Sequence, residues 1–111
     1  MSKLCDQVVE VLRESFPGMR ITRELHVNYE KQRLYVDIWI PQLNLAIEVH
    51  GKQHDEFVKH FHGTVEDYWK ANRRDRLKQE WAEVNGITYL VLRSSELPID
   101  KSRLMERIRD A

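Results

Sequence analysis

Two carboxylates, Asp37 and Glu48, stand out because each lies within an apolar segment. If residues 41–44 form a four-residue loop, Asp37 lies directly opposite Glu48 across a β-hairpin. Opposed like charges repel, so a cation, a shared proton or full solvation must offset the cost. Two carboxylates and the carbonyl oxygen of Val49 match the hard oxygen ligands that Mg²⁺ accepts. The pair therefore predicts a Mg²⁺ site, in which Mn²⁺ can substitute; the alternative is that both acids simply line a solvent-facing sheet.

The two strands of this hairpin, predicted over residues 34–40 and 45–50, present two different faces. One face is entirely aliphatic and must pack on the core: it comprises Val36, Ile38, Ile40, Leu45, Ile47 and Val49. The other comprises Tyr35, Asp37, Trp39, Ala46, Glu48 and His50. Trp39 could stack there on a splayed base, although an aromatic residue that closes a small core is commoner.

Hydrophobic periodicity places the hairpin in an αβββαβα order of elements. We predict helices at residues 4–16, 64–85 and from Asp100 onward, strands at 21–27, 34–40, 45–50 and 87–93, a turn at 28–32 and a loop at 52–63. Thr64 and Asp100 are predicted to cap the starts of the second and third helices. In the long helix, Trp69, Leu77, Trp81 and Val84 are predicted to form a buried stripe. This pattern indicates a mixed α/β fold, with residues 1–111 as one domain.

The composition excludes several classes of protein. The chain has 41% hydrophobic residues and no apolar run long enough to span a membrane, and its first residues lack the features of a secretory signal. The single cysteine, Cys5, fits a reducing environment, so we expect a cytoplasmic protein that is not secreted. The 18 Lys and Arg residues balance 18 Asp and Glu residues, so any attraction to DNA must come from local charge clusters.

The segments LYVDIWIP (34–41) and LAIEVHGKQH (45–54) resemble the hairpin of PD-(D/E)XK nucleases. They are most similar to the branch that contains very-short-patch-repair endonucleases and related phage homing nucleases. The resemblance continues through RDRLK (74–78) and NGI (85–87), and covers roughly residues 20–93. It implies a restriction-endonuclease-like core, DNA as the partner, and a metal-activated water that attacks a phosphodiester, with Asp37 and Glu48 as the metal carboxylates.

The chain departs from the superfamily at His50, which replaces a lysine two residues after the glutamate. The positioning or deprotonation of water must then fall to one of His50, Lys52, Gln53 and His54. The branch has a histidine three residues after a glycine, which favours His54 as general base or acid, and a histidine pKa near neutrality suits either task. Lys52 is also predicted to contact DNA.

Acids outside the hairpin have weaker links to the site. The branch tends to place an acid in the first helix, where Glu10 is a candidate although helical geometry points it away from the apolar stripe. Glu24, on the first strand, is a second candidate. Asp75 matches an Arg-Asp element of the branch that would orient His54 or a site cation, but a pair with Lys78 or Arg74 within the helix is the alternative.

The long helix carries a dense group of cations: Lys70, Arg73, Arg74, Arg76 and Lys78 surround Asp75. Such a group suits the neutralisation of phosphates, whereas the ordinary interpretation is a solvated helix face. Beside a nuclease-like hairpin, we predict DNA contacts for Arg73, Arg74 and Lys78.

Three alternatives stay open. The histidines His50, His54, His60 and His62, with Cys5, could form a zinc cluster, but the absence of a cysteine pair favours Mg²⁺ over zinc. A structure-selective nuclease, such as a Holliday-junction resolvase, fits a small chain that needs a homodimer or a separate specificity partner. A non-catalytic DNA-binding module with a nuclease fold is compatible with the missing lysine.

Overall fold

The computed structural model describes residues 3–51 and 64–111 and confirms the mixed α/β fold. Its helices are α1 (Lys3–Ser15), α2 (Val65–Val84) and α3 (Lys101–Asp110), and its strands are β1 (Thr22–Tyr29), β2 (Gln32–Ile40), β3 (Leu45–His50) and β4 (Thr88–Arg93). This is the predicted order of elements. None of these helices combines the length and apolar character that crossing a membrane requires.

The four described strands form one sheet in the order β1-β2-β3-β4. The first two pairings are antiparallel, and β4 lies parallel to β3 after the crossover through α2. Ile38 pairs with Ile47 and Ile40 with Leu45, so the predicted register of the central hairpin is confirmed. A short 3₁₀ turn at Pro41–Leu43 closes the loop.

The hairpin between β1 and β2 is tighter than predicted. Residues 28–32 were expected to form a turn, but Tyr29 already pairs with Gln32. The turn is made by Glu30 and Lys31 alone, which have φ angles of 50° and 62°. Two successive residues with positive φ form the two-residue turn that fits the twist of antiparallel strands. The polar residues on either side of this turn can therefore remain paired as parts of β1 and β2.

The aliphatic face of the hairpin lies in the core, as predicted. It packs against α1, α3 and β4 in a cluster that contains Cys5, Val8, Val9, Leu12, Ile38, Ile40, Leu45, Ile47, Val49, Leu90, Leu92, Ile99 and Leu104. Asp100 caps α3 by accepting a hydrogen bond from the backbone amide of Arg103 at 2.8 Å, as its position before the helix predicted.

Helix α2 begins at the predicted cap, since the Thr64 side chain accepts a hydrogen bond from the amide of Asp67 at 3.1 Å. The predicted apolar stripe along it is confirmed only in part. Leu77 and Trp81 are half-buried, but Trp69 is 62% exposed and Val84 is 72% exposed, whereas Ala82 is buried. The reason is tertiary, because α2 also meets the sheet through the polar side chain of Lys78, whose partner Glu48 lies on β3.

Candidate active site

Asp37 and Glu48 occupy the point where the ladder between β2 and β3 stops. The last paired positions are Ile38 and Ile47, and Asp37 and Glu48 come next in the same register. The Asp37 backbone amide donates to Glu48 Oε2 at 3.2 Å, and the Val49 amide donates to Asp37 Oδ2 at 2.8 Å. Each carboxylate thus accepts a hydrogen bond from the backbone of the other strand, which fixes both side chains between the strands.

Glu48 is almost fully buried, with 1% of its surface exposed. Lys78 Nζ lies 2.7 Å from its Oε1, and the hydroxyl of Tyr89 donates to the same oxygen at 3.3 Å. Burial raises the pKa of Glu48 to about 7, and the charge of Asp37 adds to the rise while the Lys78 ammonium opposes it. Glu48 is therefore costly to ionise, and its carboxylate form benefits from an added positive charge.

Lys78 belongs to this site rather than to the exposed surface where it was predicted to contact DNA. Its side chain is only 14% exposed, because it points from α2 towards Glu48. Asp75 Oδ1 lies 3.9 Å from the same ammonium group, which is the pairing within the helix that the sequence left open for Asp75.

Sequence reasoning missed Tyr89. It lies on β4 and pairs in register with Ala46, two positions before Glu48 on β3. Burial raises the pKa of its hydroxyl, and the negative charge of Glu48 raises it further. A parallel pairing across a long helix has no local sequence signal, so nothing near Tyr89 could have indicated this contact.

Of the acids on α1, Asp6 rather than Glu10 contacts the strand beside the carboxylates. Asp6 forms an ion pair with Arg23, and Arg23 pairs in register with Ile38, next to Asp37. Glu10 is exposed and lines a surface groove of about 450 Å³ together with Asp6 and Arg23. Among the described residues, Glu10 forms no hydrogen bond or ion pair with Asp37 or Glu48, so no contact supports the site role that the resemblance implied for it.

Glu24 comes closer to the predicted supporting position. The pairs Arg23–Ile38 and Leu25–Val36 flank it, so its register position is opposite Asp37. Its φ angle is 53°, in the left-handed region that a non-glycine residue rarely adopts. Glu24, Asp37 and Glu48 thus share one row across three strands, with the backbone ladder interrupted along it.

Asp37 and Glu48 offer a small set of oxygen ligands for a metal ion. Within residues 3–51 and 64–111, no three His, Cys, Asp or Glu side chains are grouped closely enough to hold one. Mg²⁺, however, is commonly held through one or two carboxylates with water in its remaining positions. Asp37 and Glu48 fit this simpler donor set.

Of the predicted water-activating residues, His50 lies within the described part of the chain. His50 is 6% exposed and lies on the face of β3 that carries Glu48, two residues further on. Lys52, Gln53 and His54 lie outside the described residues.

The predicted DNA contacts Arg73 and Arg74 are exposed on α2. With Gln32, Lys70 and Leu77 they line a cavity of about 210 Å³. Neither arginine has an ion pair within the described parts of the chain. Arg74 lies about one helical turn before Lys78, so it lies on nearly the same side of α2 as the lysine that contacts Glu48.

Part of the chain is similar to a viral protein. No family model matches the chain, and no solved structure matches it. Uncharacterized protein 307L of Invertebrate iridescent virus 6 is 35% identical over 57 residues, which are 51% of this chain. The matched region spans 29% of the length of the viral protein.

Proposed function

We propose that the protein is a metal-dependent DNA endonuclease that hydrolyses phosphodiester bonds. The observation that carries this proposal is the pair of carboxylates between β2 and β3, each fixed by an amide of the opposite strand. A fold gains no stability from placing two acids together in a half-buried gap, because desolvation and mutual repulsion both oppose it. Such an arrangement suits a site that binds a divalent cation.

In this proposal, Asp37 and Glu48 hold Mg²⁺, which when bound supplies positive charge that stabilises the transition state of phosphodiester hydrolysis. The strand amides keep both carboxylates oriented. Lys78 presents its ammonium 2.7 Å from Glu48, so an ammonium group reaches the carboxylate from α2 although the lysine is absent two residues after it. Arg73 and Arg74 bind backbone phosphates and position the DNA.

The test is the nicking of supercoiled plasmid by the purified chain in Mg²⁺ or Mn²⁺. Asp37→Asn removes one ligand charge and keeps the size of the side chain, and we expect it to lower the nicking rate by roughly 100-fold or more. Asp110→Asn, at the exposed end of α3, is the matched control and should nick like the unmodified protein. Equal nicking by Asp37→Asn would contradict the proposed mechanism.

One observation favours a second candidate, a DNA-binding module without hydrolytic activity. Lys78 already places a positive charge beside Glu48, so that carboxylate is partly compensated without a metal. If the protein is such a module, it should bind DNA in the presence of either Mg²⁺ or Mn²⁺, and neither the unmodified protein nor its variants should nick plasmid. The endonuclease predicts nicking that depends on Asp37.

A further inference from the structure

The first half of α2 exposes a large aromatic side chain to solvent. Trp69 is 62% exposed, and its ring lies 5.8 Å from the ring of Tyr68 at an angle of 58°. Exposure of a large apolar ring contributes nothing to folding, and single exposed apolar residues are common enough to need no explanation by themselves. The surroundings of Trp69 are what make it informative.

Trp69 shares one exposed stripe of α2 with Arg73 and Arg76, at spacings of i, i+4 and i+7. All three side chains are exposed, and neither arginine has an ion pair within residues 3–51 and 64–111. Lys70, beside them, contacts Glu66 at 3.6 Å, but both side chains are mainly exposed, so this pair leaves its charge largely available. The stripe therefore combines a flat apolar ring with unpaired cations.

This combination is complementary to a single nucleic-acid strand. A base without a pairing partner offers a free aromatic face that can stack on an indole ring, while the adjoining phosphates attract arginine. In an intact duplex the bases are stacked on one another, so their faces are not available to Trp69. A duplex would use only the arginines of this stripe.

The stripe lies on the side of α2 that faces away from the carboxylates. Trp69 precedes Lys78 by nine residues, which corresponds to about 13 Å along the axis of α2 and about two and a half helical turns. Because Lys78 points towards Glu48, Trp69 projects from the opposite side of the helix. The stripe is therefore a separate surface, and a strand that binds there need not contact the carboxylate site.

We propose that Trp69, Arg73 and Arg76 bind unpaired nucleotides, with a base stacked on Trp69 and phosphates held by the two arginines. The choice of DNA as the nucleic acid rests on the proposed endonuclease function. The inference adds the substrate class: DNA that has single-stranded or unpaired nucleotides.

The experiment compares three labelled DNAs by fluorescence anisotropy, with the full chain and with EDTA present so that no cleavage occurs. They are an oligothymidylate, an oligonucleotide of equal length made of abasic sites, and a blunt duplex. The abasic strand keeps the phosphates and removes the bases. We expect the unmodified protein to bind oligothymidylate more tightly than the abasic strand.

Trp69→Ala should weaken binding of oligothymidylate by about 5- to 150-fold, the range measured for loss of one base–aromatic stack. Its binding of the abasic strand and the duplex should change less than about twofold, and Trp69→Phe should retain most of the affinity. Val84→Ala truncates another exposed apolar residue of α2, 72% exposed, and should change nothing. Replacing Arg73 and Arg76 by Gln should weaken binding of both single strands equally.

Unchanged oligothymidylate binding by Trp69→Ala, or an equal loss for the abasic strand, would overturn the inference. The result is separable from the proposed function. If binding depends on the bases and on Trp69 but no preparation nicks plasmid, the inference is supported and the endonuclease proposal is contradicted. If nicking depends on Asp37 but Trp69→Ala binds DNA like the unmodified protein, the endonuclease proposal is supported and the inference is contradicted.

Discussion

Strand β3 is buried along its whole length, yet its two faces are buried by opposite means. On one face Leu45, Ile47 and Val49 pack against aliphatic side chains of α1, α3 and the neighbouring strands. On the other face Glu48 is buried beneath α2 with Lys78 and Tyr89 as partners. Burial on the first face stabilises the fold through the hydrophobic effect, while on the second it brings charges together at an energetic cost. We infer that the first face specifies the structure and the second serves its chemistry.

The largest expected effect on stability therefore lies on the aliphatic face. Ile40 is fully buried at the end of β2, opposite Leu45. Ile40→Ala should lower the free energy of unfolding by about 2–5 kcal/mol because it removes buried methyl groups and leaves a cavity. Urea denaturation followed by circular dichroism measures the loss, and Ile40→Val, as a graded control, should cost only about 0.5–1.5 kcal/mol. A loss below about 1 kcal/mol for Ile40→Ala would mean that this face is not the main source of stability.

The contribution of the carboxylate face to the free energy of unfolding should depend on pH rather than on side-chain volume. The pKa of Glu48 in the folded chain is raised to about 7 from an ordinary value of 4.5, so the folded state binds a proton more tightly than the unfolded state does. This preference stabilises the fold below about pH 4.5 and is lost as the pH rises towards 7. In EDTA, the free energy of unfolding should accordingly fall by about 2–3 kcal/mol over that interval.

The control for this pH effect is Glu48→Gln, which keeps the shape of the side chain and cannot ionise. Its stability should vary less between pH 4.5 and 7 than that of the unmodified protein, and the difference between the two curves isolates Glu48 from the other titrating groups. Parallel curves would show that Glu48 has an ordinary pKa in the folded state. The contrast between the two faces would then be lost.

The features that were predictable from sequence are those that depend on local periodicity. The two-residue period of the strands and the four-residue loop place Asp37 opposite Glu48 and give the hairpin one face that is entirely aliphatic. Thr64 and Asp100 were identified as helix caps because a cap needs only its own next few residues.

The rest of the site depends on contacts between distant elements. Lys78 and Tyr89 reach Glu48 only after α2 crosses the sheet and β4 pairs in parallel with β3. Helical spacing placed Trp69 in a buried stripe because it counts apolar residues and cannot tell which side of α2 faces the sheet. The left-handed conformation of Glu24 likewise has no signal in a strand-like sequence.

The smallest expected effect distinguishes the two sides of α2. Trp69 is mainly exposed and Trp81 is partly buried. Trp69→Ala should change the free energy of unfolding by less than about 0.5 kcal/mol, as substitutions on open surface usually do. Trp81→Ala should cost more because it removes packed surface, and chemical denaturation of both variants gives the comparison. A loss of several kcal/mol for Trp69→Ala would show that the Trp69 side chain is packed in the core. A negligible loss would show that weaker DNA binding by this variant is not caused by unfolding.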